Sequence, residues 1–181
     1  LSLREKQKII SSLVTMLKAG EDLLPEKVRG LMDDVKQHQA EIARLQQESA
    51  SDSVDALIKD AQENGKSFPW AVKNLGAMDK GAFGNLADAI SDRIRDEGLE
   101  DYAFVIGVRA GEKALFAACA GKKTVSNFGI HCGNLVKSAA KEAGGGGGGS
   151  PLRAQAGGKM PDKIDDALQA ASLLLQKADG S

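Results

Sequence analysis

The chain has 181 residues, 42% of them hydrophobic, 27% charged and only 4% aromatic, with a formal net charge of −1. That length allows one domain with an extension or two small units, and the near-neutral balance excludes a general polyanion binder. No apolar run approaches the ~18 residues of a membrane span, and two cysteines without a leader-like segment point to a cytoplasmic protein.

In chain order, Ile9, Ile10, Leu13, Val14 and Leu17 recur at spacings of three and four and predict a first amphipathic helix that stops near Gly20. Residues 21–24 are expected to form a short loop. Pro25 suits the first turn of a second helix, where its missing N–H is not needed. Along that helix Val28, Leu31, Val35, His38, Ile42 and Leu45 step 3, 4, 3, 4, 3, a heptad seam with His38 at a d-type position. Two helices with one apolar stripe each need a partner, so this seam is a candidate homodimer interface; packing on the rest of the chain is the rival reading. The SASDS segment, residues 49–53, breaks the periodicity and is the expected boundary between a helical subdomain, 1–50, and a globular domain, 51–181.

Beyond it, residues 54–62 predict a short helix ending near Gly65, and residues 68–75 a strand with Pro69 near its start. Asp79 can cap a helix carrying Phe83, Leu86, Ala87, Ile90 and Ile94 that stops at Gly98. Tyr102–Val108 is nearly all apolar, the pattern of a strand covered on both faces, and Gly111 turns it into a second strand over 113–120. A helix over 131–143 leads to six consecutive glycines, and a last helix starts around Pro161 with Ile164, Leu168, Ala171 and Leu175 on one face. The order β-α-β-β-α, glycine loop with or without a short strand after it, then α predicts an α+β fold: a mixed β-sheet layered with helices, preceded by a coiled-coil-like helical subdomain. Phe68, Trp70, Phe104 and Phe116 fall on the strand-like runs and are expected in the core, not as a base-stacking platform.

The glycines, Gly144, Gly145, Gly146, Gly147, Gly148 and Gly149, contribute no side chain and are costly to order. A backbone without Cβ atoms can approach a ligand and aim N–H groups at an anion. Between Arg109 and Met160 stand eight basic and two acidic residues, whereas the remainder carries 16 basic and 23 acidic ones. The glycine loop therefore lies in the one basic segment. The functional reading is a backbone-lined site for nucleic-acid phosphates, flanked by Arg153 and Lys159, with Gln155 beside them and Lys137 and Lys141 on the preceding helix adding field. A disordered Gly/Ser connector with solvated lysines is the bland alternative.

The run GIHCGNLVKSAAKEAGGGGGGSPLRAQAGGK, closed by a helix, resembles the DHH-associated domain that forms the C-terminal part of alanyl-tRNA synthetases. The pairing of the glycine run with AQAGG carries the resemblance, which covers roughly residues 68–177; LLPEKVRGLMDDVKQ is similar to the linker and dimerisation helices of the same enzymes. The resemblance implies a piece that grips the elbow of a tRNA, the alanine tRNA, and links aminoacylation with editing carried by other segments. Some phosphoesterase relatives place a histidine directly after the glycine run; here Ser150 stands there, which favours the synthetase branch over the substrate domain of a DHH-type nuclease. The chain begins at Leu1 without methionine and is expected to be the C-terminal piece of something longer.

No catalytic constellation is found. The glycine run lacks the GxxxxGK[ST] ending, GxSxG is absent, and His38 and His131 lie in different parts of the chain. Cys119 belongs to a strand-like run and is expected as a buried thiol. His131–Cys132 is half a zinc site with no second half, so neither metal nor cofactor is expected. A purely structural dimerisation module with an inert loop is the remaining rival.

Overall fold

The computed structural model describes residues 2–180 and divides the chain into two units between Gln46 and Gln47. In the first, helix α1, Leu3–Leu17, starts with a capping box. The Ser2 hydroxyl accepts from the Glu5 N–H at 3.3 Å, and the Glu5 carboxylate accepts from the Ser2 N–H at 2.7 Å. A 3₁₀ turn, Glu21–Leu23, occupies the expected loop. Helix α2, Leu24–Asn64, then has Pro25 in its first turn as expected. No residue of α1 is buried, and Val28, Leu31, Val35, Ile42 and Leu45 are between 43 and 54% exposed.

The helix break expected at residues 49–53 does not occur, because α2 runs through it, while the division between the two units falls just before, between Gln46 and Gln47. Serine and aspartate weaken a helix without ending one, and Ala50 among them is the strongest helix former of all. The Ser53 hydroxyl also donates to the Ser49 carbonyl at 2.8 Å, inside the helix rather than in competition with it.

The second unit is built on a five-stranded mixed sheet in the order β1-β2-β3-β5-β4. Its strands are β1 Trp70–Ala77, β2 Ala103–Ala110, β3 Lys113–Ala120, β4 Gly146–Gly149 and β5 Arg153–Gly158. β1 pairs with β2 in parallel, across the connection made by α3, Lys80–Asp96; every other pairing is antiparallel. Asp79 caps α3 as expected, its carboxylate accepting from the Gly81 and Ala82 N–H groups at 2.8 and 3.0 Å. β2 is buried along its first six residues, and β2 and β3 form the expected hairpin around Gly111, whose φ is +61°. The first strand starts two residues later than its pattern predicts, at Trp70, leaving Phe68 and Pro69 as lead-in.

Alternate strand residues feed two cores. Val105, Phe116, Ala118, Ala154 and Ala156 meet α5, Cys132–Glu142, and α6, Ile164–Asp179, on one face. Phe104, Ile106, Val108 and Ala117 meet α3 and Val54, Leu57 and Ala61 of α2 on the other. The architecture is therefore α+β, with helices on both faces of a mixed sheet. Phe68, Trp70, Phe104 and Phe116 are all buried, as their places on the strand-like runs predict.

One helix has no counterpart in the sequence reading: α4, Lys122–Phe128, is seven residues long. It is held by Thr124, whose hydroxyl donates to the Tyr102 carbonyl at 3.1 Å. At the far end of the unit Asp179 fastens α6 to the segment before β1, accepting from the Lys66 and Ser67 N–H groups at 3.1 and 2.6 Å. Among the described residues no helix is long and apolar enough to cross a membrane.

Candidate nucleic-acid interface

The expected glycine loop is mostly a strand. Gly146–Gly149 form β4 at the edge of the sheet, paired with β5 in the register Gly146–Gly157, Gly147–Ala156, Gly148–Gln155 and Gly149–Ala154. Without it β5 would present an unpaired ladder edge, and glycine adopts the extended conformation as readily as any other.

Two hydrogen bonds fix which peptide groups β4 leaves outward. The Ala120 N–H donates to the Leu152 carbonyl and the Ser150 N–H donates to the Arg153 carbonyl, both at 2.9 Å. Alternation along antiparallel ladders then assigns Gln155 and Gly157 to bond with Gly148 and Gly146. Gly147 and Gly149 direct their N–H and C=O groups to the outer edge. The amides of Gly144 and Gly145 are engaged as well, donating to the Lys141 and Ala140 carbonyls at 3.1 and 2.8 Å. Of the six glycines expected to offer a cradle, two offer outward amides.

Each glycine has its own steric account. A Cβ on Gly145 would stand 1.9 Å from the Gly157 carbonyl oxygen; on Gly147, 2.4 Å from the Ala156 Cβ; on Gly149, 2.6 Å from the Ala154 Cα. Gly146 and Gly148 would meet nothing within 4 Å. Gly145, Gly147 and Gly149 are glycine because the hairpin packs on them; Gly146 and Gly148 face open space, while a Cβ on Gly144 would stand 2.7 Å from the Met160 Cε.

Helix α5 lies alongside this edge. Gly145 is tied to Ala140 near the helix C-terminus, while a Cβ on Gly133 would stand 2.8 Å from the Gly149 carbonyl oxygen near its N-terminus. Helix and strand therefore run antiparallel. Lys137 is four residues beyond Gly133 and Lys141 four beyond that, so they share a stripe beside β4. Both are exposed, and neither meets an acidic partner among the described residues. Glu142, next to Lys141 in sequence, acts on Lys163 at the start of α6. Lys159 is also exposed and is drawn towards the end of α5 by the Met160 N–H, which donates to the Ala143 carbonyl at 3.0 Å.

Arg153 and Gln155 belong to the other face. Ala154 and Ala156 point into the α5–α6 core, so their neighbours point towards α3. The Arg153 guanidinium is ion-paired with Asp88 of α3, which removes it from the group around Lys137. Ser150 is occupied by its own turn: its hydroxyl donates to the Arg153 carbonyl at 3.0 Å and accepts from the Arg153 N–H at 3.1 Å. Beyond that turn a cleft of about 370 Å³ opens between α3, the end of β3 and the start of α4. Ile94, Arg95, Ala120, Lys122, Leu152 and Arg153 line it. Sequence reasoning missed Lys122 and Leu152, since α4 was not foreseen and a lone leucine in a turn carries no pattern.

Cys119 and Cys132 are both buried, and burial pushes both thiols up, away from the reactive thiolate. No group of three or more His, Cys, Asp or Glu side chains placed to hold a metal is found among the described residues.

Comparison with known proteins agrees with this architecture. The model of the DHHA1 domain matches residues 68–177. The alanine–tRNA ligase of Natranaerobius thermophilus is 33% identical over 96% of this chain, and that of Acetivibrio thermocellus 35% identical over 95%. The chain spans 19% of the length of either relative. The crystal structure of the C-Ala domain from Aquifex aeolicus alanyl-tRNA synthetase superposes with a TM-score of 0.50 at 26% identity, covering 65% of this chain and 96% of that one. With its mixed sheet, its glycine edge strand and the AQAGG strand beside it, the chain belongs to the DHHA1 domain family.

Proposed function

We propose that the second unit binds the backbone of a tRNA along the outer edge of β4, as part of an alanine–tRNA ligase whose aminoacylation and editing are carried by other segments. The observation that carries this reading is the pair of outward peptide groups, Gly147 and Gly149, beside the Lys137 and Lys141 stripe of α5. Amides with no side chain in front of them donate to a phosphate oxygen at close range, and the lysines supply the charge. Lys159 extends the basic rim. Gln155 and Arg153 serve on the other face of the same hairpin. The similarity to alanine–tRNA ligases supports the choice of tRNA over other polyanions.

If about four phosphates are neutralised, log K for tRNA falls with log salt at a slope of roughly −3. Filter binding across a salt series measures it, and a flat line rejects the proposal. In the first unit the exposed seam of Val28, Leu31, Val35, His38, Ile42 and Leu45 supports homodimerisation of this chain.

A further inference from the structure

We propose that the cleft beyond the β4–β5 turn receives a single unstacked nucleotide of the bound RNA, an inference that rests on the tRNA-binding reading above. Its volume of about 370 Å³ is near the lower end for ligand pockets, right for one nucleotide and too small for a duplex. The walls are apolar where a base would lie, at Ile94, Ala120 and Leu152, and cationic at Arg95, Lys122 and Arg153. The three cations differ in how far they are already spoken for. Arg153 is paired with Asp88, and Arg95 with Asp92 and Asp96. Lys122 meets no acidic partner among the described residues and is left to hold a phosphate. Glu100, also in the lining, is paired with Lys123 at 3.3 Å and can accept from ribose hydroxyls or an exocyclic amine.

Composition points to the same place. Proteins that hold unpaired bases stack them on aromatic rings or on guanidinium planes. Among the described residues no aromatic side chain is fully exposed, with Tyr102 and Phe128 half-buried and the rest buried, which favours aliphatic surface bordered by guanidinium groups as the platform for a base. The cleft has both. Leu152 stands 39% exposed at the tip of the hairpin whose first strand is β4. A strand of RNA running along Gly147 and Gly149 reaches the cleft by rounding one turn.

The test uses the full chain. Adenosine 5′-monophosphate and adenosine are titrated into isotopically labelled protein, and tRNA binding is measured in parallel for the wild type, Leu152→Asp and Lys122→Ala. Leu152 and Lys122 are exposed, so both variants keep the fold, which amide spectra check directly. The proposal expects monophosphate-induced shifts at Ala120, Gly121 and Arg153. It expects Leu152→Asp to abolish them and to weaken tRNA by about tenfold, within the range for losing one stacked base. It expects Lys122→Ala to remove the preference for monophosphate over nucleoside. Wild type and Leu152→Asp binding tRNA equally, with no shifts at the cleft, overturns the cleft assignment and leaves the tRNA reading standing. Wild-type protein that does not bind tRNA at all overturns both.

Discussion

Gly147 and Gly148 are neighbours in a run of identical residues, yet a methyl group added to each meets different surroundings. On Gly147 it lands 2.4 Å from the Ala156 Cβ, inside a packed hairpin; on Gly148 it enters open space. Gly147→Ala is therefore expected to lower stability by about 1–3 kcal/mol, the usual cost of overpacking, and Gly148→Ala to be nearly neutral. Urea unfolding of both variants checks the contrast, and equal losses would contradict the strand geometry. Asp179 gives a second prediction at this scale. Burial raises its pKa, but the N–H groups of Ser67, Lys66 and Phe68 outweigh that and hold the carboxyl below its usual 3.8. The Trp70 indole assists electrostatically without reaching hydrogen-bonding geometry. A depressed carboxyl contributes stability that is complete above the unfolded pKa and is lost as pH falls through the folded one. Asp179→Asn is expected to cost about 1–2 kcal/mol near pH 7, the worth of hydrogen bonds to a charged group. The difference from wild type should shrink once the pH falls below about 3.8, so unfolding at pH 7 and pH 3 measures it.

At the scale of elements, the first part of α2 and the hairpin β4–β5 pose opposite problems. The seam on α2 leaves large aliphatic residues half exposed at heptad spacing, which an association through these helices would cover. Val35→Asp together with Ile42→Asp is expected to convert a dimer to monomer in light scattering without altering the amide spectrum of the second unit. A wild-type chain that is monomeric at high concentration would remove the seam from the interface. The hairpin, by contrast, is already partnered on one side by β3 and has only its outer edge to offer. The glycines of β4 let it lie close to β5, and the alternation of the antiparallel ladder aims two of its peptide groups outward beside α5.

At the scale of the whole molecule, charge decides the form of recognition. A chain of net charge −1 does not attract RNA over its entire surface, so the proposed tRNA binding would rest chiefly on the basic segment. Lys137→Ala with Lys141→Ala is expected to weaken tRNA binding evenly across sequences and to flatten the salt slope by about 2, one for each lost phosphate contact. Unchanged affinity in filter binding would take both lysines out of the interface.

The sequence by itself determined the helices with a clear period, the hairpin at Gly111, the cap at Asp79 and the aromatic core, because each follows from residues close together in the chain. The family was legible too, since the glycine run and AQAGG stand within one short segment. Only the tertiary structure decided that the glycines are an edge strand, since an isolated glycine run has no preference that β5 does not impose. It also put Arg153 and Gln155 on the opposite face from Lys137 and Lys141, because a strand alternates its side chains and only the packed helices say which face is which. The persistence of α2 through residues 49–53 was beyond local reading for a similar reason: Val54, Leu57 and Ala61 are buried against the sheet and α3, and that burial outweighs a stretch of weak helix formers.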